Sequence, residues 1–148
     1  MIHLETLGFL GLFTASFLAA SILPLSSEPL VSLFVYQKKD LFLIVGVASL
    51  GNFLGGMFDY YLGRLGKMRW CEKYLGASET SVRAWQARIA RYGSILAFMT
   101  WLPIVGDPLA VALGFFRVSV SKVALYMFVG KSVRYALLVA LTLYFVEN

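Results

Sequence analysis

The chain has 148 residues, 59% hydrophobic and only 14% charged, with a formal net charge of +5. Soluble domains run nearer about 45–50% apolar and about 25% charged, so the composition excludes an ordinary water-soluble domain and describes one all-α, multi-pass membrane unit. The basic excess fits positive-inside loops and anionic lipid rather than nucleic acid, and a single His with a single Cys excludes an ordinary His/Cys metal site; no cofactor is expected.

The first uncharged run, residues 6–27, approaches the roughly 18–20 residues of a full span. Its flank carries His3 and Glu5 rather than Lys or Arg. No small-residue cleavage site leads into a soluble domain, so the run reads as mature structure and not as a signal peptide. It leads into Leu-Pro-Leu-Ser-Ser-Glu-Pro-Leu at 23–30. Pro24 and Pro29 each lack a backbone donor and clash with the preceding turn, so they break a helix, and they bracket Glu28. A second apolar arm then ends at the basic turn Lys38-Lys39.

Residues 41–63 follow as a helix of about 34 Å at ~1.5 Å per residue, long enough to span. Gly51, Gly55 and Asp59 share a face at four-residue spacing; small residues there admit another helix closely. Asn52 is expected to hydrogen-bond across the hairpin interface, chiefly in a structural role, and is counted with the candidate site. Asp59, near the helix end, is expected to face water or pair with Arg64.

Residues 64–91 hold seven Lys/Arg against two acids. Val82, Trp85, Ile89 and Tyr92 cluster on one side of a helical wheel, which predicts an interfacial amphipathic helix with Ser78 as N-cap. Charge counting puts this segment in the cytoplasm. The next uncharged run, residues 92–106, is too short to span before Leu-Pro-Ile-Val-Gly-Asp-Pro-Leu arrives at 102–109. Pro103 and Pro108 bracket Asp107 as Pro24 and Pro29 bracket Glu28.

The two segments share the pattern Leu-Pro-x-x-x-acid-Pro-Leu. The same offset relates Lys38 to Arg117 and Gly51 to Gly130, so the chain reads as an internal repeat: half one over 6–63, a linker over 64–91 and half two over 92–146. If both broken segments are re-entrant hairpins, hairpin two enters from the cytoplasm and hairpin one from the outside. The halves are then inverted, a recurring transporter design. The last helix, residues 123–146, carries Lys131 and Arg134, three apart and on one face. They are expected to bind an anionic headgroup or to neutralise Glu28 and Asp107. An ionised acid at mid-membrane costs about 2.5–3.5 kcal/mol, so both hairpin acids need a proton, a partner or water.

These residues resemble the DedA family, also called SNARE-associated Golgi or VTT-domain proteins. The likeness runs through Pro24 and Glu28, then Gly51-Asn-x-x-Gly55 leading to Tyr60-Tyr-Leu-Gly-Arg64-Leu-Gly66. It continues through Arg91-Tyr-Gly93, Pro103 and Ala112-Leu-Gly114. Trp101-Leu-Pro-Ile-Val-Gly-Asp107 is similar to the short, YqaA-type branch. The resemblance implies a bacterial inner-membrane fold of two facing re-entrant hairpins. It also implies flippase or scramblase activity on undecaprenyl phosphate or phospholipid, with proton coupling and Glu28 as the hairpin carboxylate. Where the family often has an acid this chain has Asn52, and Thr100 and Gly106 stand where arginines are usual.

The expected function is therefore non-enzymatic lipid transport, with Glu28, Asp107, Lys131, Arg134 and Asn52 at the site, and a second copy of the chain as a candidate partner. An assembly or packing factor is the alternative. An intramembrane aspartyl hydrolase using Asp59 and Asp107 is remote, because Ile104 breaks the Gly-x-Gly-Asp signature.

Overall fold

A computed structural model describes residues 2–20, 26–66, 73 and 78–148. The elements are helical: α1 (Ile2–Ala19), α2 (Glu28–Tyr36), α3 (Leu41–Leu65), α4 (Glu79–Phe98), a single 3-10 turn (Met99–Trp101), α5 (Gly106–Phe115) and α6 (Val120–Glu147). By length and composition α3 and α6 can cross a membrane. Large apolar side chains such as Phe42, Leu50, Leu125, Leu137 and Leu141 remain exposed on these two helices, as expected where the surrounding solvent is hydrocarbon.

The chain doubles back between α1 and α2, since Phe9 in mid-α1 meets Phe34 near the end of α2 with ring centroids 5.5 Å apart. Pro29 sits in the first turn of α2 and Pro108 in that of α5. There the missing N–H has no helical partner to lose, so these two prolines start helices. Pro103 lies in the true break between the 3-10 turn and α5, where Ile104 adopts a left-handed φ of 71°. Pro24 lies outside the described residues, as do Trp70 and Cys71.

The turn that ends α2 recurs at the end of α5. Gln37, Lys38 and Lys39 donate their N–H groups to Leu33, Val35 and Phe34 at 3.0, 2.9 and 3.1 Å. Phe116, Arg117 and Val118 donate to Ala112, Gly114 and Leu113 at the same three distances. Lys38 and Arg117 both take φ 55°. The next helix starts directly afterwards in each case, after Asp40 and after Ser119. Asp40 caps α3 through its carboxylate, which accepts from Phe42 N–H at 2.9 Å and Leu43 N–H at 3.2 Å.

Packing repeats at the same spacing. One buried cluster holds Val31, Phe34, Ile44 and Ala48; another holds Ala110, Leu113, Val123 and Met127 at the corresponding positions. The α2–α6 contact carries a Ser32–Thr142 hydroxyl hydrogen bond at 3.3 Å. At the corresponding α3–α5 contact, Gly63 meets the Val111 backbone.

One element departs from the sequence reading. The amphipathic segment and the first arm of hairpin two are a single helix, α4, beginning right after Ser78. Of the anticipated apolar face, Ile89 is buried, whereas Trp85 and Tyr92 stay about half exposed.

Candidate functional site

Polar residues of the apolar helices converge on α6. Lys131 is 2% exposed and its ammonium donates to Asn52 Oδ1 at 2.5 Å. Asn52, itself buried, donates its Nδ2 to the Ser16 carbonyl of α1 at 3.1 Å. The lysine stem lies against Gly56, where a Cβ would come within 2.8 Å of the Met127 sulfur and 3.0 Å of the lysine Cε. A chain of hydrogen bonds thus ties α6 to α3 and α1. Gly51 and Gly55 sit where α1 crosses α3: a Cβ at either position would press on the Phe13 or Phe17 carbonyl.

One turn beyond Lys131, Arg134 reaches both breaks. Its guanidinium forms an ion pair with Glu28, in the first turn of α2, and donates to the Trp101 carbonyl at 3.3 Å. That carbonyl ends the 3-10 turn, where backbone acceptors lack helical partners. The pair is not sealed, with side-chain exposures of 21% for Arg134 and 44% for Glu28. Next to it the buried Tyr135 hydroxyl shares a 2.6 Å hydrogen bond with Ser27.

Asp107 opens α5 as Glu28 opens α2, each in the first helical turn, where the helix dipole favours negative charge. The charges of Lys131 and Arg134 act on Asp107, but neither cation pairs with it: Arg134 takes Glu28 and Lys131 takes Asn52. The anticipated double neutralisation is therefore half made.

Asp59 departs from expectation. It is 1% exposed, and neither carboxylate oxygen has a hydrogen-bond partner. Arg64 donates instead to the Tyr60 hydroxyl at 3.3 Å. The reason is angular: five residues on a helix of ~3.6 per turn place Arg64 far around from Asp59, while Asn52, Gly55 and Gly56 share the Asp59 face. Asp59 thereby joins the charges of Asp107 and Lys131. Sequence reasoning saw the shared face but not what covers it. Tyr135 was missed; its only signal is adjacency to Arg134.

At Gly106 a side chain would run into the Thr100 carbonyl, so this break closes by direct backbone approach. Among the described residues, no group of three or more His, Cys, Asp or Glu side chains gathers.

The Lys131–Asn52 bond makes a stability prediction. Replacing Asn52 by alanine leaves a buried ammonium without its acceptor, and a hydrogen bond to a charged group contributes about 1.5–3 kcal/mol. Asn52→Ala should lower the melting temperature of detergent-purified protein, while Asn52→Asp, which supplies a charged acceptor, should not. An unchanged melting temperature in Asn52→Ala would mean that Lys131 is otherwise satisfied.

The chain is similar to the inner membrane protein YqaA of Escherichia coli strain K12, with 34% identity over 143 residues, 93% of each chain. YqaA of Shigella flexneri matches to the same extent. An uncharacterized protein of Haemophilus influenzae is 31% identical over 139 residues, covering 88% of this chain and 85% of that one. No protein-family profile matches the chain. No solved structure matches it.

Proposed function

The chain belongs to the family of the inner membrane protein YqaA, and on that premise we propose that it is an inner-membrane lipid transporter of the DedA kind, moving a lipid with an anionic headgroup. The observation that carries the reading is the half-open Arg134–Glu28 pair. A guanidinium offers planar, paired donors that suit phosphate as well as carboxylate. A lipid phosphate arriving at the pair exchanges with Glu28 on Arg134, while the acyl tails stay in hydrocarbon. The released Glu28 takes a proton, since an unpaired carboxylate at this depth is costly. Protonation thus biases the protein towards the lipid-bound state, because only differential affinity shifts a population. No covalent bond is made or broken.

In this reading α1–α2 and α4–α5 are re-entrant hairpins entering from opposite faces, with the basic side of α4 in the cytoplasm. Two observations support a repeat whose halves are related by a two-fold axis, and charge counting supplies the inversion. The turns after α2 and α5 agree bond for bond. Asn52 and Lys131, equivalent positions 79 residues apart, hydrogen-bond to each other. Equivalent residues meet on the axis of a two-fold relation and stay apart under a simple translation.

A structural role suits a different part of the site. Lys131, Asn52 and Ser16 are sealed from outside, so their chain of hydrogen bonds holds α1, α3 and α6 in register and takes no headgroup.

The test is a flipping assay on the purified chain in proteoliposomes, with fluorescent phosphatidylglycerol. Glu28→Gln and Asp107→Asn should elute and melt like the parent yet flip lipid roughly tenfold more slowly, within the ~1–3 kcal/mol usual for coupling between two sites. Parent-like flipping by both would sink the carboxylate mechanism. A parent protein that moves no lipid would favour the assembly-factor reading.

A further inference from the structure

A recess of about 390 Å³ opens between α4 and the turn joining α5 to α6. Arg91 lines one wall and Arg117 with Lys122 the other, with the polar side chains of Gln86, Ser94 and Ser119 between them and no acid in the lining. The level of this recess is set by composition. Arg91 is the last charge before the uncharged run 92–106, Arg117 is the first after the uncharged run 108–116, and Lys122 is the last before the uncharged run 123–130. Three separate passes of the chain thus change from charged to apolar at one place. In a bilayer that boundary is the layer of lipid phosphates.

The recess is also built. Gly93 lets α4 approach Val118 closely, with a Cβ there only 3.1 Å from the valine Cγ1. The Val118 carbonyl accepts the Tyr60 hydroxyl at 2.5 Å, and the turn is closed by Arg117 N–H to the Gly114 carbonyl at 2.9 Å. Arg117 takes a left-handed φ of 55°, a conformation that glycine or asparagine adopts more readily. The turn alone does not account for an arginine. Arg91 lies over the Tyr92 ring at 5.3 Å. Among the described residues none of the three cations takes part in an ion pair.

We propose that this recess binds the phosphate of an anionic membrane phospholipid, gripped by Arg117 and Lys122 from one wall and by Arg91 from the other. The site is separate from the Arg134–Glu28 pair and does not require that the chain move lipid, so it is tested by binding and not by flipping. Full-length protein, delipidated in detergent, is titrated with phosphatidylglycerol or phosphatidylcholine of identical chains, and bound lipid is counted by native mass spectrometry. Phosphatidylglycerol should bind the tighter of the two. The Arg117→Gln/Lys122→Gln protein should bind it about 25-fold more weakly, from about 5-fold per basic residue. Arg117→Lys, which keeps the charge, should retain it. A Lys38→Gln/Lys39→Gln protein, altered at the matching turn of the other half, serves as the control for net charge. Equal weakening in that control, or equal binding of the two lipids by the parent, overturns the site. Displacement of the lipid by millimolar inorganic phosphate also overturns it, assigning the recess to the free anion; retention supports the lipid.

Discussion

Arg134→Gln should reduce lipid translocation on the order of 100-fold, the scale seen when a positioned donor to a passing charge is removed. Among the described residues the guanidinium is the one group that touches both breaks, holding Glu28 from α2 and the Trp101 carbonyl from the 3-10 turn. Glutamine keeps much of the volume and some hydrogen bonding but loses the charge. The accompanying loss of stability should be small. Breaking a fully buried pair costs about 3–5 kcal/mol, but the Glu28 side chain is 44% exposed and is able to find water or a proton. Arg134→Lys keeps the charge without the two-pronged geometry, so its rate should fall between the two. Flipping rates and melting temperatures measured on the same preparations separate the effects. Parent-like flipping in Arg134→Gln would remove this residue from the transport path.

The largest effect on folding is expected at the crossing of α3 and α5. A Cβ at Gly63 would overlap the Val111 carbonyl, and one at Gly114 the Tyr60 carbonyl. Both obstacles are helix backbone, so no rotamer change relieves them. Overpacking costs typically 1–3 kcal/mol, and each of Gly63→Ala and Gly114→Ala should reach about 3 kcal/mol. The double variant should cost less than the sum, because one clash already separates the helices that the second would separate. Gly46 is the internal control: it lies in α3 with open space around its Cβ direction, and alanine there gains up to about 1 kcal/mol of helix propensity. Melting curves in detergent decide the matter. A Gly114→Ala protein as stable as Gly46→Ala would contradict the close crossing.

Much of the helical scaffold was legible. The spanning helices anticipated over 41–63 and 123–146 appear as Leu41–Leu65 and Val120–Glu147, because long apolar runs are signals that hydrogen bonding in lipid enforces locally. The basic turns at Lys38 and Arg117 marked where one helix stops and the next starts, whereas the Asp40 cap on α3 came to light only in the structure. The boundary at Tyr92 misled for a physical reason. Composition changes there from charged to apolar, but helical hydrogen bonds are indifferent to what the side chains carry, so α4 runs straight through to Phe98.

The site was legible as a set of residues and not as a set of pairs. An acid between prolines and a cation deep in an apolar helix are conspicuous because each is expensive alone, and that expense is a property of the residue and its neighbours in sequence. Hence Glu28, Asp107, Lys131 and Arg134 stood out unaided. Their partners depend on groups brought from elsewhere in the chain: Asn52 reaches Lys131 across 79 residues and Glu28 reaches Arg134 across 106. Only the crossings of α1, α3, α5 and α6, set by where glycine lets backbone touch backbone, decided that Lys131 is sealed on an amide, that Arg134 takes the carboxylate, and that Asp59 faces inward without a partner.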